Sequence, residues 1–187
     1  MVTGEDWDDI QGSLAGDGEA FARLVRRYQQ PIARSMWRFT RDQARVEELV
    51  QDVFVEAYLS LRTFRGDAPF LHWLRKISTR VGYRYWKRQA RQRLQTPLSL
   101  EDWDEPEIAA PATMVPSEAG ERLHLLLAQL PPRDRLVLHL IYFEECTMEE
   151  AAELTGWSET MVKVQAFRAR RKLKRLFDTL REGTANG

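Results

Sequence analysis

Apolar residues recur along this chain at intervals of three and four, and no stretch sustains the alternation of a strand, so the pattern predicts helices throughout. Over residues 17–39, Phe21, Leu24, Val25, Tyr28 and Ile32 share one stripe, and Pro31 should kink that helix or open a second one. Asp42 is placed to cap a helix whose inward set is Val46, Leu49, Val50, Val53, Phe54, Ala57 and Leu61. A third helix follows Gly66, with Asp67 as its cap, Pro69 in its first turn, and Phe70, Trp73, Leu74, Ile77 and Val81 facing inward. Farther on, Leu123, Leu126, Leu127 and Leu130 line a helix that Pro131-Pro132 ends, and Leu136, Val137, Leu140 and Ile141 line the next.

The pattern is sharpest from Thr147 to Leu173, where it predicts two helices and a tight turn. Thr147 and Glu150 have the spacing of a capping box, in which each side chain satisfies a backbone donor of the other at a helix start. Ala151, Ala152 and Leu154 supply the apolar content of this short helix; Gly156 can take a left-handed turn, and Ser158 can cap the following helix. In that helix Val162, Ala166, Ala169, Leu173 and Leu176 fall on the inward face. The outward face carries Thr160, Lys163, Val164, Gln165, Phe167, Arg168 and Arg171. Long donors can reach base edges and phosphates, and apolar atoms can meet thymine methyls, so these residues suit a helix lying in a DNA major groove. A solvated amphipathic helix with a basic face satisfies the same spacing.

Residues 96–117 interrupt the helical pattern. Four of the eight prolines fall there with five acids and no base, which predicts an extended acidic linker. The chain therefore divides into residues 1–95, a flexible linker over 96–117, and residues 118–187. The expected fold is all-α: two small helical domains, the second a four-helix unit containing the helix-turn-helix.

Composition changes this picture in two respects. No apolar run approaches membrane-spanning length, and the N-terminal MVTGEDWDDIQG lacks the apolar segment of a secretory signal; with a single cysteine, Cys146, this fits a reducing cytoplasm. Net charge is zero over 187 residues, but the charges are segregated. Residues 75–93 hold eight Lys or Arg and no acid, and residues 163–175 hold seven and no acid. Acids gather at 5–9, 42–56 and 101–107. Two basic faces suited to a polyanion thus sit beside acidic faces suited to another partner.

The first basic block also carries aromatic residues. Lys76, Arg80, Arg84, Lys87 and Arg88 are interleaved with Trp73, Tyr83 and Trp86, and Phe64 and Arg65 precede them in a loop. Cations neutralise phosphates, and aromatic faces stack on unpaired bases for about 1–3 kcal/mol each, so this block is a candidate single-strand surface. Aromatics in the core with arginines in solvent is the competing reading. The acidic face of the second helix, Glu47, Glu48, Gln51, Asp52 and Glu56, is by itself no more than a solvated surface. His72, His124, His139 and Cys146 share no metal-ligand spacing. No phosphate-binding glycine loop, nucleophile elbow or paired catalytic acids are evident, so neither metal, cofactor nor catalytic residue is expected.

Three segments together resemble the bacterial RNA polymerase sigma factors of the extracytoplasmic-function group. AFARLVRRY and VEELVQDVFVEAYLSLRTFRGDAPFLHWLRKI are similar to that family's region two, and LPPRDRLVLHLIYFEECTMEEAAELTGWSETMVKVQAFRARRKL to its region four. The resemblance implies a promoter-specificity subunit rather than an enzyme. Glu47, Glu48, Gln51, Asp52 and Phe54 would grip the beta-prime clamp helices of core RNA polymerase, the beta subunit being a further contact. The block from Phe64 to Arg88 would melt the minus-ten element and hold its bases. Lys163, Val164, Gln165, Phe167 and Arg168 would read the minus-thirty-five element, with Arg133 and Arg135 on phosphates. The linker would thread toward the polymerase active centre, and an anti-sigma factor, membrane-bound or zinc-containing in many relatives, would hold the protein inactive. Arg80 and Arg84 stand where the family often has Asn and Asp. Met161-Val162-Lys163-Val164-Gln165 stands where Thr-Val-Lys-Ser-Arg is frequent, which should shift base preference toward a thymine methyl or an adenine edge. A stand-alone helix-turn-helix regulator and a nucleic-acid-processing enzyme are the rival readings. The first would bind DNA alone as a dimer; the second would need a catalytic cluster near residues 83–88.

Overall fold

The computed structural model describes residues 2–95 and 118–185, so the acidic linker expected over 96–117 lies outside the described residues. Among the described residues the regular structure is helical, with one short 3₁₀ turn at Leu61–Thr63. The helices are α1 (Gly4–Leu14), α2 (Gly18–Met36), α3 (Gln43–Ser60), α4 (Phe70–Gln95), α5 (Glu118–Ala128), α6 (Pro132–Tyr142), α7 (Met148–Thr155) and α8 (Glu159–Ala185). They fall into two compact units. Of the described residues, 2–85 belong to the first, and 86–95 with 118–185 to the second, so α4 begins in one and ends in the other.

In the first unit α1 packs along α2, and α2 along α3. The hydrophobic pattern did not predict α1. Thr3 caps it by accepting from the Asp6 amide, and Ile10 is fully buried. Two of its acids are buried as well. Asp6 accepts from Arg27 Nη1 at 2.5 Å and from the Tyr28 hydroxyl at 2.6 Å; Asp9 accepts from Arg23 Nε at 2.7 Å and Arg27 Nη2 at 3.1 Å. A buried carboxylate is tolerable only when its oxygens receive donors, preferably charged ones. Both carboxylates meet that condition, which fixes the rotation of α1 against α2.

α2 runs without a break through Pro31 to Met36, rather than dividing there. Asp42 caps α3 as its position predicts, accepting from the amides of Ala44 and Arg45. α4 begins at Phe70, so Pro69 lies just outside it, its carbonyl accepting from the His72 amide. Phe70, Leu74, Ile77 and Val81 are buried, and buried Gly82 beside them is a glycine for a steric reason: a Cβ there would collide with the Phe39 ring. The smallest residue lets α4 lie directly against that aromatic.

In the second unit α6 and α7 both pack on α8. The capping box at the start of α7 is present in both directions: Glu150 N donates to Thr147 Oγ1 at 3.1 Å and Thr147 N to Glu150 Oε2 at 2.8 Å. Gly156 ends α7 at φ +74°, a conformation costly to any residue with a Cβ, and three residues separate α7 from α8. Val162, Ala166 and Ala169 are the buried floor of α8.

The Tyr28–Asp6 contact predicts a pH dependence. Burial, and then the bond to Asp6, push the Tyr28 hydroxyl well above its ordinary value. A raised folded pKa means that the stabilisation is complete below the unfolded value of about 10 and is lost as pH climbs through the folded one. Tyr28→Phe should cost about 1.5 kcal/mol of stability near neutral pH, in the range for a hydrogen bond to a charged group. Denaturant melts from pH 7 to 11 should show the gap between variant and parent shrinking only above about pH 10.

Candidate nucleic-acid interface

α8 presents one continuous outer row. Thr160, Lys163, Val164, Phe167, Arg168 and Arg171 are all exposed, Val164 at 44% and Phe167 at 54%, opposite the buried Val162, Ala166 and Ala169. Ser158 is exposed and caps the helix, its Oγ accepting from the Met161 amide at 3.2 Å. Lys163 pairs with Glu159 at 2.7 Å, an exposed contact that a phosphate could displace at little cost. The Arg171 guanidinium lies 5.8 Å from the Phe167 ring centre, and that of Arg133, also exposed, 5.4 Å from Trp157. Cations over aromatic faces are held in defined orientations while keeping their donors outward.

Two residues expected on this surface are placed differently. Gln165 is half-buried, its Nε2 donating to Asp134 Oδ1 at 2.7 Å. Arg135 is turned inward at 9% exposure: its guanidinium covers the Trp86 ring at 4.1 Å, and Nη2 lies 3.2 Å from His124 Nε2. The inward phase of α6 explains this, since Asp134 through Leu138 are buried in succession. Of the two expected phosphate contacts, Arg133 is open to a ligand and Arg135 is a packing residue.

The basic block of α4 is brought together only in part. Arg65, Arg80, Lys87 and Arg88 are exposed, whereas Lys76 and Tyr83 are half-buried. Arg84 is exposed and pairs with Glu56 across α3 and α4. Three aromatics expected to face bases do not do so freely. Phe64 is 9% exposed, edge-on to Phe70 at 5.3 Å and tilted on Trp73 at 5.5 Å. Half-buried Trp73 stacks on Phe70 at 5.4 Å. Trp86 is 3% exposed, beneath Arg135 in the second unit. The 3₁₀ turn at Leu61–Thr63 reverses the chain after α3 and brings Phe64 back over Phe70, and for that reason a loop aromatic is core here.

On α3, Glu47, Glu48, Gln51 and Asp52 are exposed, while Phe54 is 6% exposed and lies in the core next to Val53. The same outer face carries apolar residues that the acidic reading overlooked. Val55 is 57% exposed, Tyr58 51% and Leu59 76%. Glu48, Asp52, Val55 and Leu59 follow one another at helical spacing, so acids and bare apolar side chains form one stripe. The outward phase of Val55 and Leu59 between the predicted core positions was the available signal.

Comparison with known proteins follows the same division. The family described as Sigma-70 region 2 matches residues 24–92, and Sigma-70, region 4 matches residues 120–173. The RNA polymerase sigma-H factor of Pseudomonas aeruginosa is 31% identical over 97% of this chain and 100% of its own length. The ECF RNA polymerase sigma-E factor of Escherichia coli K12 is 29% identical over 83% of this chain and 85% of its own. A longer relative, described as the Probable RNA polymerase sigma factor RfaY of Xanthomonas campestris, is 32% identical over 96% of this chain; the chain spans 46% of that protein's length. Among solved structures, CnrH in complex with the cytosolic domain of CnrY superposes with a TM-score of 0.57 at 26% identity, covering 94% of this chain and 98% of that one.

The placement of Phe64 is open to a direct check. Truncating a buried aromatic costs about 3–5 kcal/mol, and a base-stacking side chain in solvent costs almost nothing to the free protein. Phe64→Ala should therefore lower the stability of the first unit by about 3 kcal/mol in chemical denaturation. Unchanged stability would return Phe64 to the surface.

Proposed function

This chain belongs to the RNA polymerase sigma factors, in the extracytoplasmic-function group, and we propose that it directs core polymerase to promoters through two separately weak DNA contacts. The observation that carries the reading is the outer row of α8, where Thr160, Val164, Phe167, Arg168 and Arg171 are exposed opposite the buried alanine floor. A helix seated that way can enter a major groove with phosphate donors flanking side chains that reach base edges. It would read the minus-thirty-five element, with Arg133 on a phosphate.

The exposed cations of α4, Arg80, Lys87 and Arg88, together with Arg65, would hold the minus-ten strand, and half-buried Tyr83 offers an aromatic edge for a base that leaves the duplex. Phe64, Trp73 and Trp86 act in this scheme by shaping α4 rather than by stacking. The α3 stripe of Glu48, Asp52, Val55 and Leu59 suits a protein partner: bare apolar atoms supply the burial and acids select a basic surface. We assign it to core polymerase at the beta-prime clamp helices, with the beta subunit as a further contact. Two modest sites on one chain gain effective concentration only when both can be engaged at once, and core polymerase would hold them at that separation. The protein would act in the cytoplasm without catalytic chemistry of its own. An inhibitory partner of the anti-sigma class would occlude it; the similar CnrH is itself solved in complex with another protein, the cytosolic domain of CnrY.

Footprinting on promoter fragments tests the reading. With core polymerase the chain should protect two spaced elements; alone it should protect neither at comparable concentration. Asp52→Lys and Leu59→Asp should abolish the core-dependent protection by at least about tenfold in chain concentration, the effect of losing about 1.4 kcal/mol at an interface, with thermal unfolding unchanged. Tight protection of a palindrome by the chain alone would instead identify a stand-alone regulator.

A further inference from the structure

The third residue of α6 is an acid with 1% exposure, and neither the promoter reading nor the core contact uses it. Asp134 Oδ1 accepts from Gln165 Nε2 at 2.7 Å, and Oδ2 from Lys172 Nζ at 2.6 Å. Gln165 and Lys172 are two helical turns apart on α8, so a single carboxylate holds that helix at two points. Its two donors come from outside α6, and its position in the first turn sets the negative charge at the helix end that favours it.

We infer that Asp134 is a specificity-determining positioning residue: it fixes which end of the Gln165 amide faces DNA. This rests on the reading of α8 as the base-contacting helix. An amide can turn over about its last bond, and a free glutamine offers either its donor or its acceptor to a base. Here the choice is removed, because an ionised carboxylate only accepts and so must face the NH₂ group. Among the described residues Gln165 Oε1 has no hydrogen-bond partner and is not sealed from solvent, so its acceptor is the end of the amide that remains for a ligand. The group presented to the groove is an acceptor. In the major groove an exocyclic amine occurs on adenine, at N6, and on cytosine, at N4, whereas guanine shows acceptors at N7 and O6 and thymine an acceptor at O4. The Gln165 position selects adenine or cytosine and repels guanine, acceptor against acceptor. Adenine gains further if the second amide hydrogen reaches N7. Lys172 is kept at the same time from serving as a free phosphate contact, so the carboxylate both adds selectivity and withholds non-specific affinity.

The test is transcription by core polymerase plus the full chain on templates carrying all four bases at each position of the minus-thirty-five element. The parent chain should show one base pair at which adenine or cytosine exceeds guanine by about tenfold or more, the discrimination of one well-made base contact. Asp134→Asn keeps the shape but can either donate or accept, so the Gln165 amide regains its freedom and the guanine penalty should fall toward parity. Gln165→Met should remove the preference at that pair and at no other. Thermal unfolding of each variant reports whether the second unit remains folded. A structural role alone would lower output on all four templates by the same factor, and that result would overturn the proposal. So would a guanine preference in the parent, or a guanine penalty that survives Asp134→Asn. If no upstream base pair affects the parent at all, α8 is not the reader, and the functional reading falls as well.

Discussion

The rotation of α8 about its own axis is the constraint on which the second unit depends. A recognition helix is useful only if the same side chains face outward every time, and a smooth apolar cylinder has no strong preference for one rotation. Ala166 and Ala169 let neighbouring helices approach closely, which sets the distance, and Val162 fills the remaining volume. The carboxylate of Asp134 then settles the angle, because it meets Gln165 and Lys172 only at one rotation. Gly156 closes the turn that delivers the chain into this seat, at a backbone angle a larger residue would resist.

The charge pattern follows a similar logic across the molecule. The formal sum is zero, yet acids and bases are used for different purposes. Asp6 and Asp9 lie inside the first unit, where four donors from three residues of α2 satisfy them. Glu48 and Asp52 stay in solvent beside the bare side chains of Val55 and Leu59, a mix of acid and apolar surface that suits a protein partner better than DNA. The cations of α4 and α8 remain largely outward. Exposed pairs such as Lys163 with Glu159 are weak enough to be exchanged for a phosphate.

Much of this was legible in the sequence wherever the signal was local. The helical period placed Val162, Ala166 and Ala169 inward, and the four-residue grammar of Thr147 and Glu150 announced the start of α7, because caps and turns are decided by near neighbours. α1 escaped, although Trp7, Ile10 and Leu14 recur at helical spacing and Thr3 stands at its cap. The acids among them read as a face for another partner, whereas Arg23, Arg27 and Tyr28 close over two of them. Phe64 misled for a related reason: a loop residue has no phase, so only the reversal after α3 reveals that it packs on Phe70. Gln165 was read from its helix alone, and its partner lies 31 residues earlier, on another helix. Pairings of that kind are set by tertiary packing and leave no periodic trace.

The roles proposed for both exposed rows, on α3 and on α8, rest on this chain supplying a polymerase with its choice of start site. The most direct measurement is the mapping of transcript 5′ ends made by purified core polymerase on genomic DNA, with and without the full chain. The account predicts discrete new start points, each preceded by two elements at a fixed separation, that appear only when the chain is present. Identical start points in both reactions would contradict it.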